Sequence, residues 1–311
     1  MKCESVVNVH GLRMRYGDRE AVRGVDLEIE RGEIFALLGP NGAGKTTIVE
    51  ILTGFRRPTA GEVRVLDADP PATGPEWRER VGVVLQESQP DPGLTARECL
   101  ALYAGYFRTP RPPGEVAELV GLTGSLDVGT EQLSGGQRRR LDIGLALIGD
   151  PELLFLDEPT TGFDPKARRD AWDTIDGLRR LGTTIVLTTH AMDEAERLAD
   201  RIAVIVDGAV VAQGTPGTIG GRNRRAHEIS FTLPAGIGPA ELPSTLRNGH
   251  GLSNRRISLR STAPLADVRA ISDWALARGV DLPDIEVRRP ALEDVYLALA
   301  GSETTTGPQE A

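Results

Sequence analysis

The apolar run Ile34-Phe35-Ala36-Leu37-Leu38 ends directly on Gly39-Pro40-Asn41-Gly42-Ala43-Gly44-Lys45-Thr46-Thr47. No other feature limits the fold of this chain as strongly. Consecutive apolar residues read as a strand covered on both faces, the habit of a parallel sheet flanked by helices. The glycines that follow let backbone N–H groups turn inward around an anion, where side chains would obstruct them. A helix starting near Lys45 adds the positive end of its dipole. This is the spacing of a phosphate cradle, with Lys45 directed at β- and γ-phosphates and the Thr46 hydroxyl available to Mg2+.

A second buried strand, Leu153-Leu154-Phe155-Leu156, ends on Asp157-Glu158. Paired acids at the end of such a strand are costly unless a cation or hydrogen bonds satisfy them. Beside a phosphate cradle, Asp157 is expected to face Mg2+ through water. Glu158 is expected near the γ-phosphate, polarising the attacking water. A third element, Leu133-Ser134-Gly135-Gly136-Gln137, precedes a helix expected over 137–149. Ser134 reads as its capping residue, and the glycines again expose N–H groups. Taken alone this is either a plain cap or a second anion site. In the second case a nucleotide would sit between the cradle of one chain and this element of another, in a two-fold pair.

Strands and helices alternate around these motifs. Strands are expected at 25–29, 34–38, 61–66, 81–85 and 153–157, at Thr183–Thr189, and as a hairpin turning at Asp207-Gly208. Helices are expected at Pro165–Arg180 and Ala191–Ala199. The fold class is α/β, a mostly parallel sheet with a helical subdomain inserted at about 92–150. The Gly/Arg stretch 220–225 suits a linker. Beyond it, strands at 227–233, 256–261 and 284–288 with helices at 264–278 and 291–299 make a small C-terminal α+β domain. The domain reading is therefore 1–220, 221–300 and a disordered polar tail at 301–311.

Composition removes several classes. The net charge is −9 over 311 residues, so no global basic field gathers nucleic acid. The two cysteines, Cys3 and Cys99, lie in no CxxC or Cys/His cluster, which speaks against a disulfide framework or a zinc site. The opening residues lack the apolar core of a secretory signal. No stretch reaches the ~20 apolar residues that cross a bilayer, so a membrane role would be borrowed from a partner. Arg138-Arg139-Arg140 reads as a solvated helix start, with one Arg at most reaching toward phosphate or a neighbour, because three consecutive residues spread around a helix and form no stripe.

With GPNGAGKTT, LSGGQ and LLFLDEP in this order, the chain resembles the nucleotide-binding subunits of ATP-binding cassette (ABC) transporters over residues 5–220. The resemblance implies the P-loop NTPase core of ABC ATPase type, and ATP with Mg2+ as ligands. It assigns residues that are weak alone. Tyr16 resembles the aromatic that stacks on adenine. Gln86 resembles the glutamine that touches Mg2+ and senses the membrane partner. His190 resembles the switch histidine at the γ-phosphate, and Asp164 the aspartate that communicates across the dimer. It gives Glu158, His190 and Lys45 catalytic parts, and the metal to Thr46, Gln86 and Asp157. Gly39 to Thr47, Ser134, Gly135, Gly136 and Gln137 complete the nucleotide set.

Arg289-Pro290-Ala291-Leu292-Glu293-Asp294-Val295-Tyr296-Leu297 resembles the closing motif of drug-export ATPases of the daunorubicin-resistance type, which pair with separate ABC-2-type membrane subunits. The expectation is an ATP-hydrolysing export subunit for a small drug-like or amphipathic molecule. It would work as a homodimer on the cytoplasmic face of the membrane and bind no nucleic acid. Other cargoes (lipid, polysaccharide, peptide, or uptake) stay open. A non-transport ATPase acting on DNA or ribosomes is the reading from another class, opposed by a single cassette and by the absence of heptads over 47–132.

Overall fold

The computed structural model describes residues 4–86, 91–224, 226–234, 236–238, 241–243, 250–253, 255–282 and 284–302. Two compact units, Met1–Pro216 and Gly217–Ala311, make up the chain. The first begins with β1 (Ser5–Tyr16), β2 (Arg19–Glu30), β3 (Ile34–Leu38), α1 (Lys45–Leu52), β4 (Ala60–Val65), α2 (Pro75–Arg78) and β5 (Val81–Val84). It continues with α3 (Ala96–Ala104), α4 (Pro113–Leu119), α5 (Gly135–Leu147), β6 (Leu153–Asp157) and α6 (Pro165–Arg180). It closes with β7 (Thr184–Thr189), α7 (Met192–Leu198), β8 (Arg201–Val206) and β9 (Ala209–Gly214).

Among the described residues, one sheet has the order β5-β6-β7-β3-β8-β9, parallel except for the β8–β9 hairpin. Every residue of β3, β6 and β7 is buried, which is why β3 reads as an unbroken apolar run and why the apolar stretches of β6 and β7 give way to polar residues only at their ends. In register, Leu38 pairs with Thr189 and Asp157 with Thr188. The carboxyl ends of the three central strands therefore finish at one edge. The hairpin turns at Asp207 and Gly208, both with positive φ, the geometry that matches strand twist.

The parallel arrangement does not extend to residues 5–30 and 60–65. There β1, β2 and β4 form a separate antiparallel sheet of order β2-β1-β4. In β2, buried Val22, Val25, Leu27 and Ile29 are interspersed with exposed polar residues, so only one face seeks a core. An antiparallel sheet tolerates that and a doubly covered parallel sheet does not. Its apolar face joins Ile48 and Ile51 of α1 and Phe35 and Phe155 of the central sheet in one core cluster. Each fully buried aromatic there contributes about 1.5–3 kcal/mol.

The helical insertion holds α3, α4 and α5. Both α3 and α5 open on capping boxes, Thr95 with Glu98 and Ser134 with Gln137. With Ser134 as the cap, α5 starts at Gly135 rather than at the expected 137. Gly144 lets α5 approach Leu100 of α3 and Val116 of α4, where a Cβ would meet side-chain carbons at 3.3–3.5 Å. Cys99 is buried in the core, and Cys3 lies outside the described residues.

The second unit contains β10 (His227–Thr232), β11 (His250–Ser253), β12 (Arg256–Ser261), α8 (Pro264–Arg278), β13 (Glu286–Arg288) and α9 (Leu292–Ser302). Its antiparallel sheet runs β11-β12-β10-β13. Ile229, Phe231, Ile257 and Leu259 of the sheet pack on Ile271 and Trp274 of α8. The Gly/Arg segment is folded into this unit: Arg222 is buried and its Nε donates to Pro290 O at 2.5 Å. The polar tail expected to be disordered lies, from residue 303, outside the described residues.

Candidate nucleotide site

The loop between β3 and α1 wraps a concave surface. Two of its glycines are required by close approach. A Cβ on Gly39 would lie 2.3 Å from Ile205 O, and one on Gly44, at φ +101, would lie 2.5 Å from Ala21 O. Lys45 is 5 % exposed, with Nζ donating to Gly39 O at 2.7 Å and Pro40 O at 3.1 Å. Burial lowers its pKa, opposed by the negative charges of Glu158 and Asp157. A cleft of about 520 Å3 opens here, lined by Tyr16, Arg19, Ala21, Asn41, Gly42, Gly44, Lys45, Thr46, Thr47, Gln86 and Glu158. That volume is in the range of small-molecule sites. Tyr16, at the end of β1, is 39 % exposed and carries Arg56 on its ring, 5.2 Å from the centroid.

The neighbouring strand ends bring the acids to the cradle. Thr46 Oγ1 lies 3.3 Å from Asp157 Oδ2, and Asp157 also accepts from the Thr188 hydroxyl. Glu158 Oε1 is 3.7 Å from Lys45 Nζ and 3.2 Å from His190 Nδ1. Its Oε2 accepts from Thr161 Oγ1 at 3.0 Å and lies 3.5 Å from Gln86 Nε2. Burial raises the Glu158 pKa, but hydrogen bonds from His190 and Thr161 and the charges of His190 and Lys45 outweigh it. The carboxyl is held below its usual range. Its backbone sits at φ 46, a region that side chains disfavour.

Tyr16, the 39–47 loop, Gln86, Asp157, Glu158 and His190 therefore meet in or beside one cleft. Ser134, Gly135, Gly136, Gln137 and Asp164 do not line it. Ser134 and Gln137 cap α5 reciprocally, and Asp164 caps α6, accepting from Lys166 N and Ala167 N.

Sequence reasoning passed over several residues. Arg19 and Ala21 line the cleft from β2, brought beside Tyr16 by the antiparallel pairing of β2 with β1. Arg138-Arg139-Arg140 is less solvated than a helix start with one Arg reaching a neighbour: Arg139 does reach neighbouring segments, but it is 8 % exposed and donates to three backbone carbonyls. Its spacing of four from buried Ile143 was the available signal, since the two share a helix face. Arg140 bonds Gly121 O and Asp170.

Comparison with known proteins identifies the family and the fold. The ABC transporter family matches residues 22–161, and the C-terminal domain family of ABC transporter domain-containing protein-like chains matches 227–291. The daunorubicin resistance ATP-binding protein of Streptomyces coeruleorubidus is 37 % identical, over 96 % of this chain and 97 % of that one. The Nod factor export ATP-binding protein I of Ralstonia nicotianae is 39 % identical, over 96 % and 94 %. Among solved structures, an ABC transporter component from Clostridium perfringens is 28 % identical with a TM-score of 0.63, covering 69 % of this chain and 90 % of that one. A dimeric ATP-binding cassette in a post-hydrolysis state with ADP and Pi is 27 % identical with a TM-score of 0.60, covering 67 % and 98 %. The chain thus belongs to the ATP-binding subunits of ABC transporters and is an ATPase with the α/β cassette fold.

Proposed function

We propose that this ATPase powers export of a small drug-like or amphipathic molecule through a separate membrane subunit of ABC-2 type, working as a homodimer at the cytoplasmic face of the membrane. Export is supported by the names of relatives that align along nearly the whole chain, one for daunorubicin resistance and another for Nod factor export. These names differ in the compound concerned; the second states export, and resistance to a drug is consistent with it. Among the described residues no helix is long and apolar enough to cross a membrane. A groove of about 470 Å3 beside the helical insertion, lined by Phe55, Trp77, Val83, Tyr103, Phe107 and Leu145, suits a short apolar helix of the membrane partner. The two units would act as an ATPase domain and a C-terminal domain.

The observation that carries the mechanism is the convergence of Lys45 Nζ and His190 Nδ1 on Glu158 Oε1, at 3.7 and 3.2 Å. Lys45 meets the charge of the β- and γ-phosphates, and the loop N–H groups cradle their oxygens. Tyr16 receives the adenine on its ring. Glu158, kept ionised, polarises the attacking water, and His190 orients that carboxylate and approaches the γ-phosphate. The hard oxygens of Thr46 and Asp157, 3.3 Å apart at the cradle, are the donor class that suits Mg2+, and Gln86 would complete the set. When bound, Mg2+ neutralises charge developing on the transferred phosphoryl group. Ser134, Gly135, Gly136, Gln137 and Asp164, away from this cleft, would complete the site of a second copy.

Glu158→Gln tests this reading. The variant should bind ATP, lose turnover and accumulate an ATP-bound dimer on size-exclusion chromatography. Wild-type hydrolysis by Glu158→Gln would refute the part given to Glu158. Capture of an integral membrane protein from native membranes, rather than ribosomes or DNA, tests the transport reading.

A further inference from the structure

Arg139 is a buried cation of the cassette unit that the mechanism above leaves unused. It stands on the first turns of α5, just beyond the Ser134–Gln137 cap. Its guanidinium makes a fork onto three backbone carbonyls. Nη2 donates to Asp157 O at 2.6 Å, Nε to Pro159 O at 3.2 Å and Nη1 to Leu85 O at 2.6 Å. Two of these carbonyls belong to the residues on either side of Glu158. The third belongs to the residue before Gln86. One planar group thus touches both segments whose side chains reach the cleft.

The backbone at Glu158 needs such support. With φ at 46 it occupies a conformation that costs about 1–3 kcal/mol for a residue with a side chain and persists only where the surroundings impose it. Thr188 supplies one constraint, since the Glu158 N–H donates to Thr188 O at 3.1 Å and to Thr188 Oγ1 at 3.0 Å. Arg139 supplies the opposing one by holding the carbonyls before and after. Burying a cation beside carbonyls alone would be expensive. Burial lowers the Arg139 pKa, and the buried carboxylates Asp142, Asp157 and Glu194 oppose that shift in part. Lysine cannot replace the fork, because its ammonium is a point charge on a flexible stem.

We propose that Arg139 is a positioning residue for hydrolysis: it holds the Glu158 turn and the Gln86 segment in one frame and ties that frame to the helix capped by Ser134. The proposal rests on the reading of Glu158 as the group that polarises water. A shift of α5 then moves the carboxylate and the glutamine together, so the geometry for hydrolysis depends on the position of the signature helix. Nucleotide binding, which relies on the 39–47 loop and Tyr16, is not served by Arg139.

The full-length chain is to be compared as wild type, R139K, R139M, E158Q and R139M/E158Q. The measurements are steady-state MgATP hydrolysis, binding of a fluorescent N-methylanthraniloyl ATP, and thermal unfolding. R139K and R139M should each lower kcat by about tenfold or more while KM and nucleotide affinity stay within about threefold. In the E158Q background, R139M should change the residual rate by less than about twofold, because both changes disable the same group. If R139M does not fold, R139K decides alone, since it keeps the charge and most of the packing. Turnover of R139K within twofold of wild type overturns the proposal. So does a parallel loss of binding and turnover, or a full multiplication of the R139M and E158Q losses, because either makes Arg139 general support for the fold. An E158Q variant as active as wild type removes the reading of Glu158 and the proposal with it. An unaltered R139K beside an inactive E158Q removes the proposal alone.

Discussion

Nδ1 of His190 lies 3.2 Å from Oε1 of Glu158, across the ends of the neighbouring strands β7 and β6. The pair joins a half-exposed imidazole to a carboxylate that is 8 % exposed. It supplies the largest of the influences that lower the Glu158 pKa against burial.

Removing His190 should therefore change the acid side of the pH profile. Held below its ordinary range, Glu158 contributes stability that is present above the unfolded glutamate pKa of about 4.3 and lost as pH falls through its lower folded value. Its basic form accordingly persists below the ordinary carboxylate range. In His190→Ala the Glu158 pKa rises, kcat falls by about a hundredfold, and the acid limb of the residual rate moves to higher pH. Rates measured from about pH 4.5 to 8 test this, and an unmoved acid limb would count against the pairing as the cause.

Lys45→Met separates binding from folding. Burial disfavours the Lys45 charge, so losing that desolvation cost offsets in part the loss of its contacts to Gly39 O, Pro40 O and Glu158 in the ligand-free fold. The melting temperature without nucleotide should shift by only a few degrees, while the rise produced by MgATP disappears, since that rise follows from binding to the native state. Scanning calorimetry with and without nucleotide gives both values. A retained MgATP shift would show that Lys45 is dispensable for binding.

Gly44→Ala should act in the opposite sense, damaging the fold first. Its Cβ would face Ala21 O at 2.5 Å from a backbone at φ +101. The strained dihedral alone costs about 1–3 kcal/mol and the backbone clash adds to it. Urea unfolding should show a lower midpoint, and nucleotide binding should weaken as the loop shifts. An unchanged midpoint would contradict the close approach of the hairpin to the cradle.

Gly135→Asp tests the composite site without disturbing the fold. Its Cβ would meet nothing within 4 Å, and its φ is not in the left-handed region. The isolated chain should keep its melting temperature and bind ATP within about threefold of wild type, because Gly135 lies outside the cleft of its own chain. Turnover should fall by at least about a hundredfold through repulsion of the partner's nucleotide. Normal turnover would mean that the segment is a cap and nothing more.

Much of this was legible in the sequence because it is locally encoded. Helix α6 spans Pro165–Arg180 as expected, with Asp164 capping it and proline at its first position. The apolar runs at 34–38 and 153–156 lie in β3 and β6 because burial on both faces favours apolar residues along the body of a strand, with the acid Asp157 only at its end. Strand β11 was missed: His250-Gly251-Leu252-Ser253 has neither alternation nor β-branched residues to announce it.

By itself the sequence determined the cradle, the acidic strand end, the capped signature helix and the family, since each depends on residues adjacent in the chain. Tertiary structure decided which of these would meet. The order β6-β7-β3 sets Glu158, His190 and Lys45 at the carboxyl ends of neighbouring strands although Glu158 and His190 are 32 positions apart and Lys45 and Glu158 are 113 apart. Strand order comes from non-local packing, which no local pattern records. The same is true of Arg139. Its neighbours in sequence are arginines, and only the packing of α5 on the ends of β5 and β6 turned one of three into a buried fork behind Glu158.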